Sequence, residues 1–194
     1  MKKIKFVFIF LFLLTSIAIS MEADIFVQST VNRASAILAN DMSKEDKIKE
    51  LKLIAKETVD IKGIGLYTLG SARKSLDEKQ KKNYHALFEK YFLKSFSSRL
   101  AEYTNPEIDV FNKEILNKNY TIVNSLLKAS GDRPEVKIDW RIYTKDQNNP
   151  LIRDLIIEGL SLARTQKEEF TSILNSNDGD IKVLFRVLEE FSKD

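Results

Sequence analysis

Residues 136–170 read VKIDWRIYTKDQNNPLIRDLIIEGLSLARTQKEEF. Val136, Ile138, Trp140 and Ile142 alternate with Lys137, Asp139, Arg141 and Tyr143, the period-two pattern of a strand with one buried face. The polar loop KDQNNP leads into a second strand, 151–158, LIRDLIIE. If Thr144 pairs with Leu151 across that loop, Asp154 lies opposite Arg141 as a cross-strand ion pair. The spacing then turns helical over about 162–175, and a further helix over 180–192 follows Asn177-Asp178-Gly179.

Upstream the strand pattern continues. Residues 107–115 hold Ile108, Val110, Phe111 and Ile115, Asn117-Lys118 marks a hairpin turn, and 119–129 returns. Ser130-Gly131-Asp132 turns again into the strand at 136. Short loops between successive strands predict a four-stranded antiparallel meander.

The region before Pro106 is helical. Ile25, Val31, Ala34, Ile37 and Leu38 form one stripe over 24–39. Ser43 with Asp46 opens a second helix carrying Ile48, Leu51, Leu53, Ile54 and Ala55. DIKGIGLYTLG, residues 60–70, reads as a short, broken helix. Ser75 with Glu78 starts a long helix, about 76–102, with Tyr84, Phe88, Phe92, Phe96 and Leu100 at steps of four. Asn105-Pro106 ends it. The expected class is therefore α+β, with helices on one face of the sheet and the aromatic stripe turned toward it.

The amino terminus has a different character. MKKIKFVFIFLFLLTSIAIS places Lys2, Lys3 and Lys5 before an apolar run from Phe6 to Leu14. Ala18 and Ser20 are small residues at the −3 and −1 positions of a cut before Met21, the anatomy of a secretory signal. Phe6 to Ile19 spans 14 residues, short of the roughly 20 a membrane-crossing helix needs. The expected division is a signal peptide at 1–20, cut after Ser20, and a single domain at 21–194. Of the 31 basic residues three lie in 1–20 with no acid, so the remainder carries 28 basic against 28 acidic side chains. The overall +3 thus belongs to the leader, and no basic footprint for nucleic acid remains.

Motifs for chemistry are weak. There is no Cys, which excludes disulfides, thiolate metal sites, a cysteine nucleophile and a lipidated Cys at the cut. His85 is the lone histidine and sits mid-helix. Gly159-Leu160-Ser161-Leu162-Ala163 lacks the second Gly of a nucleophile elbow, so Ser161 reads as a helix cap. Gly63, Gly65 and Gly70 do not form a dinucleotide fingerprint. Asp154 is the nearest approach to a tuned acid, and its ion-pair reading is preferred. No metal, cofactor or catalytic residue is expected. What remains is an apolar surplus, which composition cannot divide between solid core and enclosed pocket.

The ordered set of elements resembles the MlaC family, periplasmic phospholipid-binding proteins that serve an MCE-type ABC transporter (also called toluene-tolerance auxiliary proteins). DLIIEGLSLARTQKEEFTSIL, 154–174, carries the closest likeness, through Asp154, Glu158, Gly159, Ser161, Phe170, Ile173 and Leu174. Ile138, Trp140, Arg141 and Ile142 look like the family's apolar-x-aromatic-Arg-apolar strand, and Asp60, Leu69 and Gly70 like its upstream signature. The chain departs from the pattern at Pro150, where a Trp is usual, at Arg153, where an aromatic precedes the Asp, and at Gln166-Lys167, where a Tyr-Arg pair is common.

The resemblance implies a monomeric periplasmic carrier that shuttles phospholipid between an outer-membrane lipoprotein complex and an inner-membrane MCE/ABC transporter, maintaining outer-membrane lipid asymmetry. It implies bound phospholipid as cargo and no cofactor. Two acyl chains hold roughly 30 CH₂ groups, so exposing them to water costs on the order of 25 kcal/mol, which an apolar pocket cancels. The stripe and the resemblance together nominate Leu66, Leu69, Phe88, Phe92, Phe96, Leu100, Ile122, Ile138, Trp140, Leu155, Ile157 and Phe170 as the lipid wall. Two other classes stay open. A periplasmic adaptor or chaperone would show a solid core beside an exposed groove, and an enzyme on a cupped α+β scaffold would show a buried acid aimed into the pocket.

Overall fold

Apolar alternation becomes a sheet in the computed structural model, which describes residues 21–193. The proposed signal segment lies outside the described residues. Strands β1 (Ile108–Asn117), β2 (Tyr120–Leu127), β3 (Val136–Tyr143) and β4 (Leu151–Ile157) form an antiparallel meander in sequence order. Val123, Ser125 and Leu127 of β2 and Ile138, Trp140 and Ile142 of β3 are buried, so these strands turn the same alternate residues inward that the sequence pattern requires.

The sheet has five strands, not four. Glu158 and Gly159 both adopt positive φ, at 48° and 81°, the geometry of a tight hairpin loop whose twist matches its strands. Leu160 and Ser161 therefore pair back on Ile157 and Ile156 as β5 before the next helix begins. The β3–β4 register also differs from expectation. Leu151 pairs with Tyr143, and an irregularity between Arg141 and Ile142 absorbs one extra residue, Arg153. That bulge restores Asp154 to its place opposite Arg141, with Nη1 to Oδ2 at 3.6 Å.

Helices α1 (Ala23–Ala39), α2 (Lys44–Thr58), α3 (Ile61–Thr68) and α4 (Glu78–Leu100) precede the sheet, and α5 (Leu162–Asn175) and α6 (Ile181–Ser192) follow it. Ser43 caps α2 by accepting from Asp46 N, as its motif requires. Helix α4 starts two residues later than expected. Asp77 and Gln80 form the reciprocal capping box, while Ser75 closes a 3₁₀ turn at Ala72–Lys74. This register leaves Leu76 just ahead of the cap, buried.

The long aromatic helix does not lie on the sheet. Tyr84, Leu87, Phe88 and Leu93 are buried, and Tyr91, Phe92 and Phe96 are half-buried, so α4 is apolar around most of its girth. Such a helix satisfies its surface among other helices. Helices α2, α3 and α6 surround it, and the sheet is instead met by α1 on β1 and β2 and by α3 and α5 on β4. Helix α1 uses Phe26, Val27, Thr30, Val31 and Leu38 for its buried face, whereas Ile25 is exposed. Within the core Phe88 meets Tyr84 at 5.7 Å and Phe170 edge-on at 6.3 Å. Among the described residues no helix is long and apolar enough to cross a membrane.

Candidate functional site

Two elements with small and branched side chains leave space between them. Helix α1 presents Val31, Ala34 and Leu38 toward the sheet, and α2 presents Leu51 and Ile54 beside it. Opposite stand Ile138 and Trp140 of β3, Ile152, Leu155 and Ile157 of β4, and Leu127 of β2. Phe96, Leu100 and Tyr103, at the end of α4 and just beyond it, close one side. The cavity, partly open to solvent, measures about 140 Å³. That is close to the roughly 150 Å³ of an engineered cavity that admits benzene.

The wall is chemically quiet. No Asp, Glu, His, Lys or Arg lines it among the described residues. Most of the polar groups that border it, the Tyr103 hydroxyl excepted, are already engaged. Thr30 Oγ1 donates to Phe26 O at 2.9 Å and Thr58 Oγ1 to Ile54 O at 2.8 Å. Ser35 Oγ donates to Pro106 O at 3.0 Å. Trp140 Nε1 donates to Ser125 Oγ at 2.8 Å, and Ser125 Oγ donates in turn to Ile138 O. With these donors satisfied by the protein itself, the wall offers an incoming molecule mainly dispersion and exclusion of water.

The buried acid of the molecule points elsewhere. Asp154, 4% exposed, accepts from Ser161 Oγ at 2.6 Å and from Ala163 N at 3.0 Å. Ser161 Oγ accepts from Arg164 N at 3.1 Å, so it caps α5 as its motif suggests. The pair thus fastens α5 to β4. His85 lies outside the cavity, on a hollow with Lys62, Arg73 and Lys82. Among the described residues no group of three or more His, Asp or Glu could hold a metal ion.

Of the twelve nominated wall residues, the structure brings six together on the cavity: Phe96, Leu100, Ile138, Trp140, Leu155 and Ile157. Leu69, Phe88 and Phe170 sit in the solid core. Phe92 is half-buried between Phe88 and Phe96, and Leu66 lines the charged hollow beside His85. Ile122 alternates with the buried residues of β2 and stands across from Arg141 on the other sheet face. The contribution of α1 was not nominated. Its signal is the spacing 27, 31, 34, 38, which a stripe of Val, Ala and Leu carries less visibly than one of Phe.

The family model described as MlaC protein matches residues 28–190. Curated proteins offer no match to the chain. Among solved structures, the chain is similar to a phospholipid-binding protein from Ralstonia solanacearum, determined in complex with a phospholipid. The likeness covers 89% of this chain and 97% of that one, with a TM-score of 0.74 at 18% identity, and establishes a common fold.

Proposed function

The chain belongs to the MlaC family, and from that membership we propose that it is a periplasmic phospholipid carrier rather than an enzyme. It takes lipid between an outer-membrane lipoprotein complex and an inner-membrane MCE/ABC transporter, holding the acyl chains in the cavity between α1–α2 and the sheet. The observation that carries the reading is the apolar wall with no ionisable carboxylate on it. An enzyme on this scaffold needs a reactive group there, and the buried acid is occupied in fastening α5. An adaptor with a solid core has no use for the cavity. The related fold of a protein bound to phospholipid adds support.

The cavity as it stands is benzene-sized, so two acyl chains require its walls to part. The wall that can yield is the α1–α2 layer, which meets the sheet mainly through side chains, its backbone bonding to β4 confined to Val59 and Asp60 just past the end of α2. A carrier built this way closes over its own apolar lining when unloaded, which limits the apolar area presented to water. Its lipid affinity need only match the bilayer, because tighter holding would prevent delivery. Direction comes from its partners. In this reading residues 1–20 direct export and are removed after Ser20.

Native mass spectrometry of the protein purified from a periplasmic extract tests the proposal. The expected result is one phospholipid per chain. Protein that carries none, and takes none from phosphatidylglycerol vesicles, overturns it.

A further inference from the structure

The apolar cavity ends at Tyr103, Pro106 and Leu127, and the same three residues line a second, more open hollow of about 360 Å³. This hollow has a mixed lining: Pro134 and Val136 continue the apolar surface, while Thr104, Lys128, Ser130 and Arg133 add the polar and cationic groups that the cavity lacks. The two spaces adjoin, one purely apolar and one with charge at its rim.

The two cations at this rim are not equivalent. Lys128 Nζ lies 3.3 Å from Glu107 and 3.2 Å from Asp109, so its charge is already answered. Arg133 makes no carboxylate contact of that kind among the described residues. Glu102 pairs its carboxylate with Lys44 and feels the Arg133 charge only at longer range, while its backbone carbonyl accepts from Arg133 Nη2 at 3.0 Å. The guanidinium lies over the Tyr103 ring at 4.7 Å. Reciprocal backbone hydrogen bonds of 3.1 Å between Ser130 and Arg133 close the turn that carries it. Arg133 is thus a pre-positioned cation with most of its five donors free, the arrangement that takes a phosphate oxygen pair.

We propose that Arg133, at the junction of the two compartments, binds the phosphodiester of the lipid whose acyl chains enter the cavity. The inference rests on the carrier reading and adds that the protein distinguishes phosphate-bearing lipids from uncharged diacylglycerol. Ser130 and Thr104 supply hydroxyls on the same rim, and Tyr103 serves both compartments, as ring beneath the guanidinium and as part of the apolar wall.

The test is equilibrium uptake from vesicles containing labelled phosphatidylglycerol or labelled diacylglycerol of the same chain length, with wild type, Arg133→Gln and Arg133→Lys. Charge-assisted hydrogen bonds of this kind correspond to about tenfold or more in affinity. Arg133→Gln is expected to lose that factor for phosphatidylglycerol and nothing for diacylglycerol, and Arg133→Lys to fall between. Equal phosphatidylglycerol uptake by wild type and Arg133→Gln overturns the assignment, as does an equal loss for both lipids. Wild type that takes up neither lipid sinks the carrier reading and this inference with it. Inorganic phosphate titrated into lipid-free protein separates the two sources of the anion. Saturable, Arg133-dependent phosphate binding with lipid uptake unchanged by Arg133→Gln assigns the hollow to free phosphate and overturns the proposal.

Discussion

Arg153 reaches Asp60 with two donors, Nε and Nη2, each 2.5 Å from Oδ2. Asp60 also caps α3 by accepting from Gly63 N at 2.8 Å. The same guanidinium lies 4.1 Å from the centre of the Tyr143 ring and donates to Tyr120 Oη at 2.9 Å. A bulged residue of β4 therefore ties the start of α3 to two aromatic residues of neighbouring strands. The Arg153 guanidinium thereby covers the Tyr143 ring.

The pair should contribute measurably. Its side chains are 30% and 15% exposed, intermediate between a surface bridge and a buried one. Arg153→Ala is expected to cost about 1.5–3 kcal/mol in urea unfolding. A double-mutant cycle with Asp60→Asn should return a coupling above about 1 kcal/mol, and a coupling near zero would show that the two residues act independently. A Cβ on Gly63 would press first on the Asp60 carboxylate, with Cγ at 2.7 Å, and then on Arg153 Nε at 2.9 Å, so Gly63→Ala should also destabilise by pushing Asp60 off its cap and its ion pair, and most of that effect should remain when Arg153 is already Ala.

Asp154 and Ser161 divide one task unequally. Ser161→Ala removes a cap and should cost about 0.5–2 kcal/mol. Asp154→Ala removes the acceptor for Ser161 Oγ and Ala163 N together, whereas the half-exposed Arg141 stays solvated, so it should cost about 2–4 kcal/mol. Guanidinium chloride unfolding of both variants checks the order. If Ser161→Ala proves the more damaging, Asp154 does not hold α5.

Cavity and core should answer differently to substitution. Ala34→Trp adds bulk to the α1 wall and is expected to lower phospholipid uptake several-fold while the protein stays folded. Phe88→Leu, on the buried face of α4, should lose about 1–3 kcal/mol of stability and retain uptake. Vesicle uptake and thermal unfolding, measured on both variants, separate the two roles. Normal uptake by folded Ala34→Trp would move the lipid site away from α1.

Four strands and the caps at Ser43 and Ser161 were legible because local chemistry decides them, whereas Asp77 and not Ser75 caps α4. The Val136–Ile142 alternation, Ser43 and Ser161 act within a few residues of themselves. Which side of α4 meets what was not legible, because its apolar residues run round most of the helix and periodicity then has no single direction to report. The cavity follows the same logic. Trp140 and Leu155 could be placed on its wall from strand alternation alone, but the facing layer is chosen by tertiary packing, which brings α1 residues over the sheet and only the last turns of α4, Phe96 and Leu100, to its side. Glu158 hid the fifth strand, since positive φ at a Glu is a conformation few side chains adopt.

His85 should make stability depend on pH below neutrality. Its Nδ1 is buried without a hydrogen-bond partner, and burial together with the nearby Lys62 charge holds its pKa below the ordinary histidine value. The hollow it borders adds Arg73, Lys81 and Lys82 on the cationic side and Glu78 and Glu89 on the acidic side, with Glu78 paired to Lys81 and Glu89 to Lys56. The unfolded chain therefore binds a proton near pH 6.5 that the folded chain takes up only at lower pH. His85 contributes its full stability above about pH 6.5, and that contribution is lost as pH falls through the lower folded value. Unfolding free energy measured from pH 7.5 down to 5.5 should decline in the wild type and decline less in His85→Gln. Acidic side chains titrate mostly below this window, which keeps the comparison clean. Identical slopes for the two proteins would mean that His85 takes its proton equally well in the folded chain, against its burial and its unpartnered nitrogen.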